Sequence, residues 1–218
     1  MDNITTSSYI KSLEDQYLKK DWAAVRDLLL KHKKEYPSGQ FHYNLGTIYA
    51  KLGDNGASRF NLEKAISKGY IQTESLHNLN IVEKHVAINS KPISLLEQAG
   101  VFSSSAYLSL TLFFFLAVLL LKRLGVLKKK LTTGFLFLFC LLPVLSSILY
   151  FSKIERAIVL KESNLYEGPS EAYEARGKIP AGVKVVLGKS FNKKWRLIES
   201  PKEAVGWIHI KTLGNLKD

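Results

Sequence analysis

Two stretches of this chain, Gln98 to Leu121 and Leu131 to Ser152, carry no charged residue, and between them stands the run KRLGVLKKK with its five positive charges. No other feature restricts the architecture so strongly. A hydrocarbon layer about 30 Å thick needs about 20 helical residues at about 1.5 Å each, and both stretches are long enough. A buried helix of that length in an ordinary domain would show a polar face, and neither stretch has one. The reading is a transmembrane helix hairpin, with spans at about 102–121 and 131–151 and a basic connector at 122–130, inside a region covering 93–152. Pro143, near the middle of the second stretch, predicts a kink there. Tyr107, Tyr150 and Phe151 lie near the span ends, where amphipathic rings suit an interface.

Two spans joined so tightly put the flanking regions on one side. Lys122, Arg123, Lys128, Lys129 and Lys130 outweigh Lys84 and Lys91 before the first span, and Lys153, Arg156 and Lys161 after the second are more diluted. The positive-inside bias therefore expects the connector in the cytoplasm, near anionic lipid headgroups, and both flanking regions outside it. The opening "MDNITTSSYIKSLEDQYLKK" lacks the basic start and apolar segment of a signal peptide. Either a leader has been removed or the orientation is inverted, and removal is the expectation.

The formal charge of +12 raises nucleic acid as a partner, so its distribution matters. Residues 1–104 carry a net +2, the connector +5 and residues 131–218 +5, with basic and acidic residues mixed outside the connector. No basic stripe interleaved with stacking aromatics is present, which argues against nucleic acid. Cys140, the only cysteine, lies in an apolar run and cannot close an intramolecular disulfide.

Before the first span, "FHYNLGTIYAKLGDNGASRFNLEKAI" reads as a helical hairpin. Leu45, Ile48, Tyr49 and Leu52 share one face, Gly53-Asp54 breaks the chain, and Leu62, Ala65 and Ile66 form a second face. The spacing Asn44-Leu45-Gly46, Tyr49, Lys51-Leu52-Gly53-Asp54, Ser58, Leu62, Ala65 resembles the tetratricopeptide repeat of about 34 residues. The resemblance implies that Gly46 and Ser58 are the small positions where the two helices touch. His42 departs from it by replacing a bulky aromatic, and Tyr70 stands where proline usually ends the second helix. Asp21-Trp22 and Pro37 upstream, and Leu76 and Leu79 downstream, mark weaker flanking copies, so residues 5–90 read as two and a half to three hairpins in a domain covering 1–92. Such stacks bind a partner in the groove lined by their first helices, which implies Tyr43, Asn44, Thr47 and Asn78 as groove residues.

After the second span, "RAIVLK", "NLYEGPS", "GVKVVLGKS", "WRLIE" and "GWIHI" alternate with period two and read as five or six short strands. So short a region buries a core only by curling, so a small all-β barrel is expected over 153–218. Leu165-Tyr166-Glu167-Gly168-Pro169-Ser170, then Pro180-Ala181-Gly182 with Val183, Val185 and Leu187, then Trp195 and Gly206-Trp207-Ile208, resemble the bacterial Src-homology-3-like domain over 157–216. Tyr166 stands where that family usually has arginine. The resemblance implies a ligand groove near Tyr166, Tyr173, Trp195 and Trp207.

Catalytic chemistry is not expected. "GVKVVLGKS" has five residues between Gly182 and Gly188, where a phosphate-binding loop has four, and no helix follows. His32, His42, His77, His85 and His209 show no metal-ligand spacing, and no nucleophile elbow or acid–base carboxylate pair is visible. No catalytic, metal or cofactor residue is therefore assigned, and no cofactor is expected.

The order of helical repeats, apolar hairpin with basic connector and small barrel resembles the E proteins of bacterial Bat (Bacteroides aerotolerance) operons. That resemblance implies a non-enzymatic scaffold of the bacterial cytoplasmic membrane, its repeats and barrel periplasmic, linked to envelope or oxidative-stress tolerance. The implied partners are membrane proteins with von Willebrand A domains and, indirectly, a MoxR-type AAA+ ATPase. The alternative is a cell-wall sensor or anchor whose barrel binds peptidoglycan peptide.

Overall fold

The computed structural model describes residues 3–86, 88, 104–127, 130–149 and 154–217, in two compact units: Met1–Ser90 with Arg156–Asp218, and Lys91–Glu155.

In the first unit five helices come first: α1 (Asn3–Leu18), α2 (Trp22–Lys31), α3 (Ser38–Lys51), α4 (Asn55–Ser67) and α5 (Thr73–Lys84). Their limits follow from local chemistry. Asp21 and Asp54 cap α2 and α4, their carboxylates accepting from the backbone N–H of Ala24 at 3.0 Å and of Ala57 at 2.9 Å. Gly53, at φ +77°, supplies the left-handed residue that turns α3 into α4. Val25 and Leu29 of α2 pack with Phe41, Leu45 and Ile48 of α3 into a buried cluster, with Leu13, Trp22, Tyr36 and Tyr49 against it. Helices α3 and α4 meet closely: the Ser58 hydroxyl donates to the Gly46 carbonyl at 2.8 Å, and a Cβ on Gly46 would stand 2.9 Å from Leu62 Cγ.

Seven strands complete this unit: β1 (Glu155–Val159), β2 (Ser163–Tyr166), β3 (Ala175–Ile179), β4 (Lys184–Phe191), β5 (Trp195–Ser200), β6 (Gly206–His209) and β7 (Leu213–Asn215). They form one sheet in the order β3-β2-β6-β5-β4-β1-β7. Asn192 at φ 48° and Lys193 at φ 53°, both in the left-handed region, lie in the three-residue connection that turns β4 into β5. Val159, Leu165, Ile179, Val185, Ile198 and Ile208, from six strands, belong to one buried cluster. The sheet therefore bends over its own core, but β3 and β7 stay as its two edges. The closed Src-homology-3-like barrel expected from the sequence is thus corrected to an open antiparallel sheet of seven strands. Closure would require β3 and β7 to exchange ladder hydrogen bonds, and their neighbours are only β2 and β1.

Helices and sheet pack directly on each other within this unit. A Cβ on Gly56 of α4 would collide with the Leu160 backbone, 2.7 Å from its carbonyl carbon, and one on Gly214 would stand 2.6 Å from the Phe60 ring. Val86 and Ile88, just after α5, pack against the sheet core. A helical stack leaves its last hairpin with an uncovered face. Here the sheet covers it.

The second unit contains α6 (Ser104–Arg123), α7 (Lys130–Cys140) and α8 (Leu142–Leu149). Among the described residues no helix is long and apolar enough to cross a membrane. Helix α6 runs 20 residues, opening on Ser104 and Ser105 and carrying Lys122 and Arg123 in its last turn, so polar and charged residues take up part of its length. The second apolar run breaks at Leu141 into helices of 11 and 8 residues. Pro143 has no N–H to give to a continuous ladder, and its ring crowds the preceding turn. The expected transmembrane hairpin is therefore corrected, and the fold class is mixed helix and sheet rather than a membrane protein with a two-span hairpin. The two-span placement in a bacterial inner membrane, with a cytoplasmic connector and periplasmic flanks, falls with it.

Candidate functional site

A groove of about 540 Å³ opens between α1, α2 and α3. Its floor is hydrocarbon from Leu13, Val25, Leu29 and Ile48, and Ile10, Tyr17 and Leu18 of α1 flank it. Tyr43, Asn44, Thr47 and Glu14 supply its polar groups. Helix α1 is held as a wall by Tyr9, whose hydroxyl lies 2.7 Å from that of Tyr36 and whose ring stacks on His32 at 3.8 Å. Burial, then the hydrogen bond to Tyr36, pushes the Tyr9 phenol well above its usual range, so it stays protonated.

Of the groove residues expected from the sequence, Tyr43, Asn44 and Thr47 lie on this one wall, since Thr47 stands four residues from Tyr43 and three from Asn44 along α3. Asn78 does not line the groove; its amide reaches back from α5 toward the Tyr43 hydroxyl at 3.5 Å and the Thr47 hydroxyl at 3.4 Å, both long for hydrogen bonds. Thr47 also donates to the Tyr43 carbonyl at 3.0 Å, and the Tyr43 ring stacks on Tyr70 at 5.0 Å. Asn44 differs. Among the described residues, nothing in the chain pairs with its half-buried side-chain amide. Sequence reasoning missed α1 entirely as a groove wall, although Ile10, Leu13 and Tyr17 carry the helical spacing that would have placed it.

On the sheet, Tyr166 and Trp195 meet edge to face at 5.5 Å, and Trp207 lies opposite Tyr166 in the β2–β6 register. His209, missed in the sequence, lies 5.4 Å from Trp195. Its position two residues after Trp207 was the available signal, since alternate strand residues share a face. Tyr173 is exposed and lies over Gly168, where a Cβ would stand 2.6 Å from its ring. Trp195 is buried, so little of it remains for a ligand.

Lys122 and Arg123 end α6 and are exposed. Lys130 opens α7, and Lys128 and Lys129 lie outside the described residues. The expectation that they orient a two-span hairpin falls with that hairpin, since no helix among the described residues is long and apolar enough to cross a membrane.

The strongest electrostatic feature was not read from the sequence. Arg59 of α4 is only 2% exposed, donating to Glu83 of α5 at 2.6 Å and to the Gly182 carbonyl at 2.8 Å, with Glu63 at 3.8 Å. Lys184 of β4 donates to both Glu63 oxygens at 2.8 Å. Burial lowers the Arg59 pKa, and Glu63 and Glu83 oppose that shift, so the guanidinium remains charged. His42, half-buried and 2.9 Å from the Asn61 side-chain oxygen, is pulled below its ordinary pKa chiefly by burial, with Lys33, Lys64 and Lys68 adding to the effect and Asn61 opposing it.

Compared with known protein families, curated proteins and solved structures, the chain matches none.

Proposed function

We propose that this chain is a non-enzymatic interaction scaffold that holds an extended segment of a partner protein in the groove between α1 and α3. The observation that carries the reading is the Asn44 amide, which stands on the groove wall with no partner among the described residues. An amide offers one acceptor and two donors. An extended peptide presents free backbone N–H and C=O groups to such a side chain, whereas a helical peptide has already satisfied its own. The apolar floor supports the same reading by giving side chains of that segment a dry seat.

The resemblance to Bat-operon E proteins supplies a candidate partner class, proteins with von Willebrand A domains, and a physiological setting of envelope or oxidative-stress tolerance. Co-purification of such a protein encoded beside this chain tests it. Thr47→Arg, which would fill the groove, should abolish retention, while Glu199→Gln on the sheet should leave it intact. Equal retention by the wild type and Thr47→Arg would sink the reading.

A second reading, a cell-wall anchor, is favoured by the ring contacts among Tyr166, Trp195 and His209. Sedimentation of the full chain with purified cell wall tests it, and Trp207→Ala should reduce binding. Absence of co-sedimentation removes this alternative.

A further inference from the structure

This inference rests on the groove reading above and concerns the chemistry of the occupant. Among the described residues lining the groove, Glu14 alone is charged. It is exposed, and no ion pair or side-chain hydrogen bond within the described chain engages its carboxylate. Lys11, Lys19 and Lys20 belong to the same stretch but do not line the groove. One turn of helix separates Tyr17 from Glu14, and Leu13 beside it contributes to the apolar floor. A negative group at the rim of an apolar floor is complemented by a ligand that carries a cation next to an apolar anchor. An acidic segment would bring like charges together as water leaves the groove, and a wholly apolar one would leave Glu14 partly desolvated without a counter-charge.

We infer that the groove selects an extended segment in which a lysine or arginine lies within one or two residues of a large apolar side chain, with the cation at Glu14 and the apolar group over Leu29 and Ile48. The charge sets the choice of partner, because a rim ion pair adds little affinity but penalises the wrong sign. Binding of such a segment therefore weakens as ionic strength rises.

Random peptides displayed on phage and selected on the immobilised full chain test this, followed by fluorescence anisotropy of dye-labelled synthetic copies of the selected sequences. The expected pool is enriched in lysine or arginine beside leucine, phenylalanine or isoleucine. Glu14→Lys should weaken those peptides by about fivefold or more and redirect a fresh selection toward aspartate and glutamate. Circular dichroism of each variant verifies that the helices remain. Peptides that lose binding on Asn44→Ala and Tyr43→Ala, yet show no basic enrichment and ignore Glu14→Lys, would overturn the charge assignment and leave the groove reading standing. Peptides indifferent to all three substitutions would overturn the groove reading as well. A concentration-dependent dimer dissolved by Glu14→Lys in sedimentation velocity would make a second copy the occupant, which also overturns the inference.

Discussion

Arg59 donates a hydrogen bond to the carbonyl of Gly182, 2.8 Å away in space and 123 residues further along the chain. The same guanidinium reaches Glu83 at 2.6 Å, so one buried side chain joins α4, α5 and the turn that leads into β4. Burying a charge is costly unless it is paired and hydrogen-bonded, and Glu83, Glu63 and the carbonyl together meet that condition.

Removing Arg59 should therefore be far more damaging than its place in the middle of a polar helix suggests. Arg59→Ala leaves Glu83 and the Gly182 carbonyl facing a void, and a loss of about 3–5 kcal/mol is expected in urea unfolding. Arg59→Lys should recover only part of this, since a single ammonium cannot reproduce a planar fork of donors aimed at two partners. A loss below about 0.5 kcal/mol for Arg59→Ala would contradict the role given to this joint.

Lys184 and Glu63 form the second tie, with both carboxylate oxygens 2.8 Å from the ammonium and both side chains largely buried. A double-mutant cycle of Lys184→Met and Glu63→Gln should give a coupling energy of about 0.5–3 kcal/mol. Additive effects would mean that the pair does not hold helix to sheet.

Gly56 is a steric requirement of the same joint. Its missing side chain admits the Leu160 backbone, which cannot move aside as a flexible side chain could. Gly56→Ala should cost about 1–3 kcal/mol despite alanine's better helix propensity. A stabilised Gly56→Ala in thermal unfolding would show that the helix and strand do not approach as closely as described.

His42 should make stability depend on pH. Burial lowers its folded-state pKa, so the unfolded chain binds the proton more readily than the folded one. The stabilisation is full above the unfolded value of about 6.5 and declines as the pH falls through it toward the folded value. Stability of the wild type relative to His42→Gln, measured by urea unfolding across this range, should drop on acidification. A difference that stays flat would rule out this contribution.

Much of the local structure can be traced to short stretches of sequence. Asp54 caps α4 from the residue just before it, Gly53 supplies the left-handed turn, and Leu45 and Ile48 repeat at helical spacing. Interactions of this kind span only a few residues, so neighbouring letters suffice to read them. Tyr43, Asn44 and Thr47 share a wall for the same reason. Glu14 escaped notice because the groove needs α1, and its contact with α3 depends on how Tyr9 docks against His32 and Tyr36.

The two apolar runs show where such reading misleads. Absence of charge says that a segment avoids water, but whether it forms one long helix depends on an uninterrupted ladder. Pro143 and the break at Leu141 interrupt the second, and the helix that carries the first has Lys122 and Arg123 in its last turn. Period-two alternation likewise revealed strands but not the open sheet, because closure depends on whether β3 and β7, far apart in the chain, come together.

The sequence by itself determined the helix caps, the hairpin turns and the apolar faces, because those are set by dihedral preferences and side chains within a turn or two of each other. Only the tertiary structure decided that Arg59 is buried, that Gly56 must stay bare and that the sheet covers the last helices of the stack. Each of those depends on a strand arriving from more than a hundred residues away, and no local pattern records where it will land.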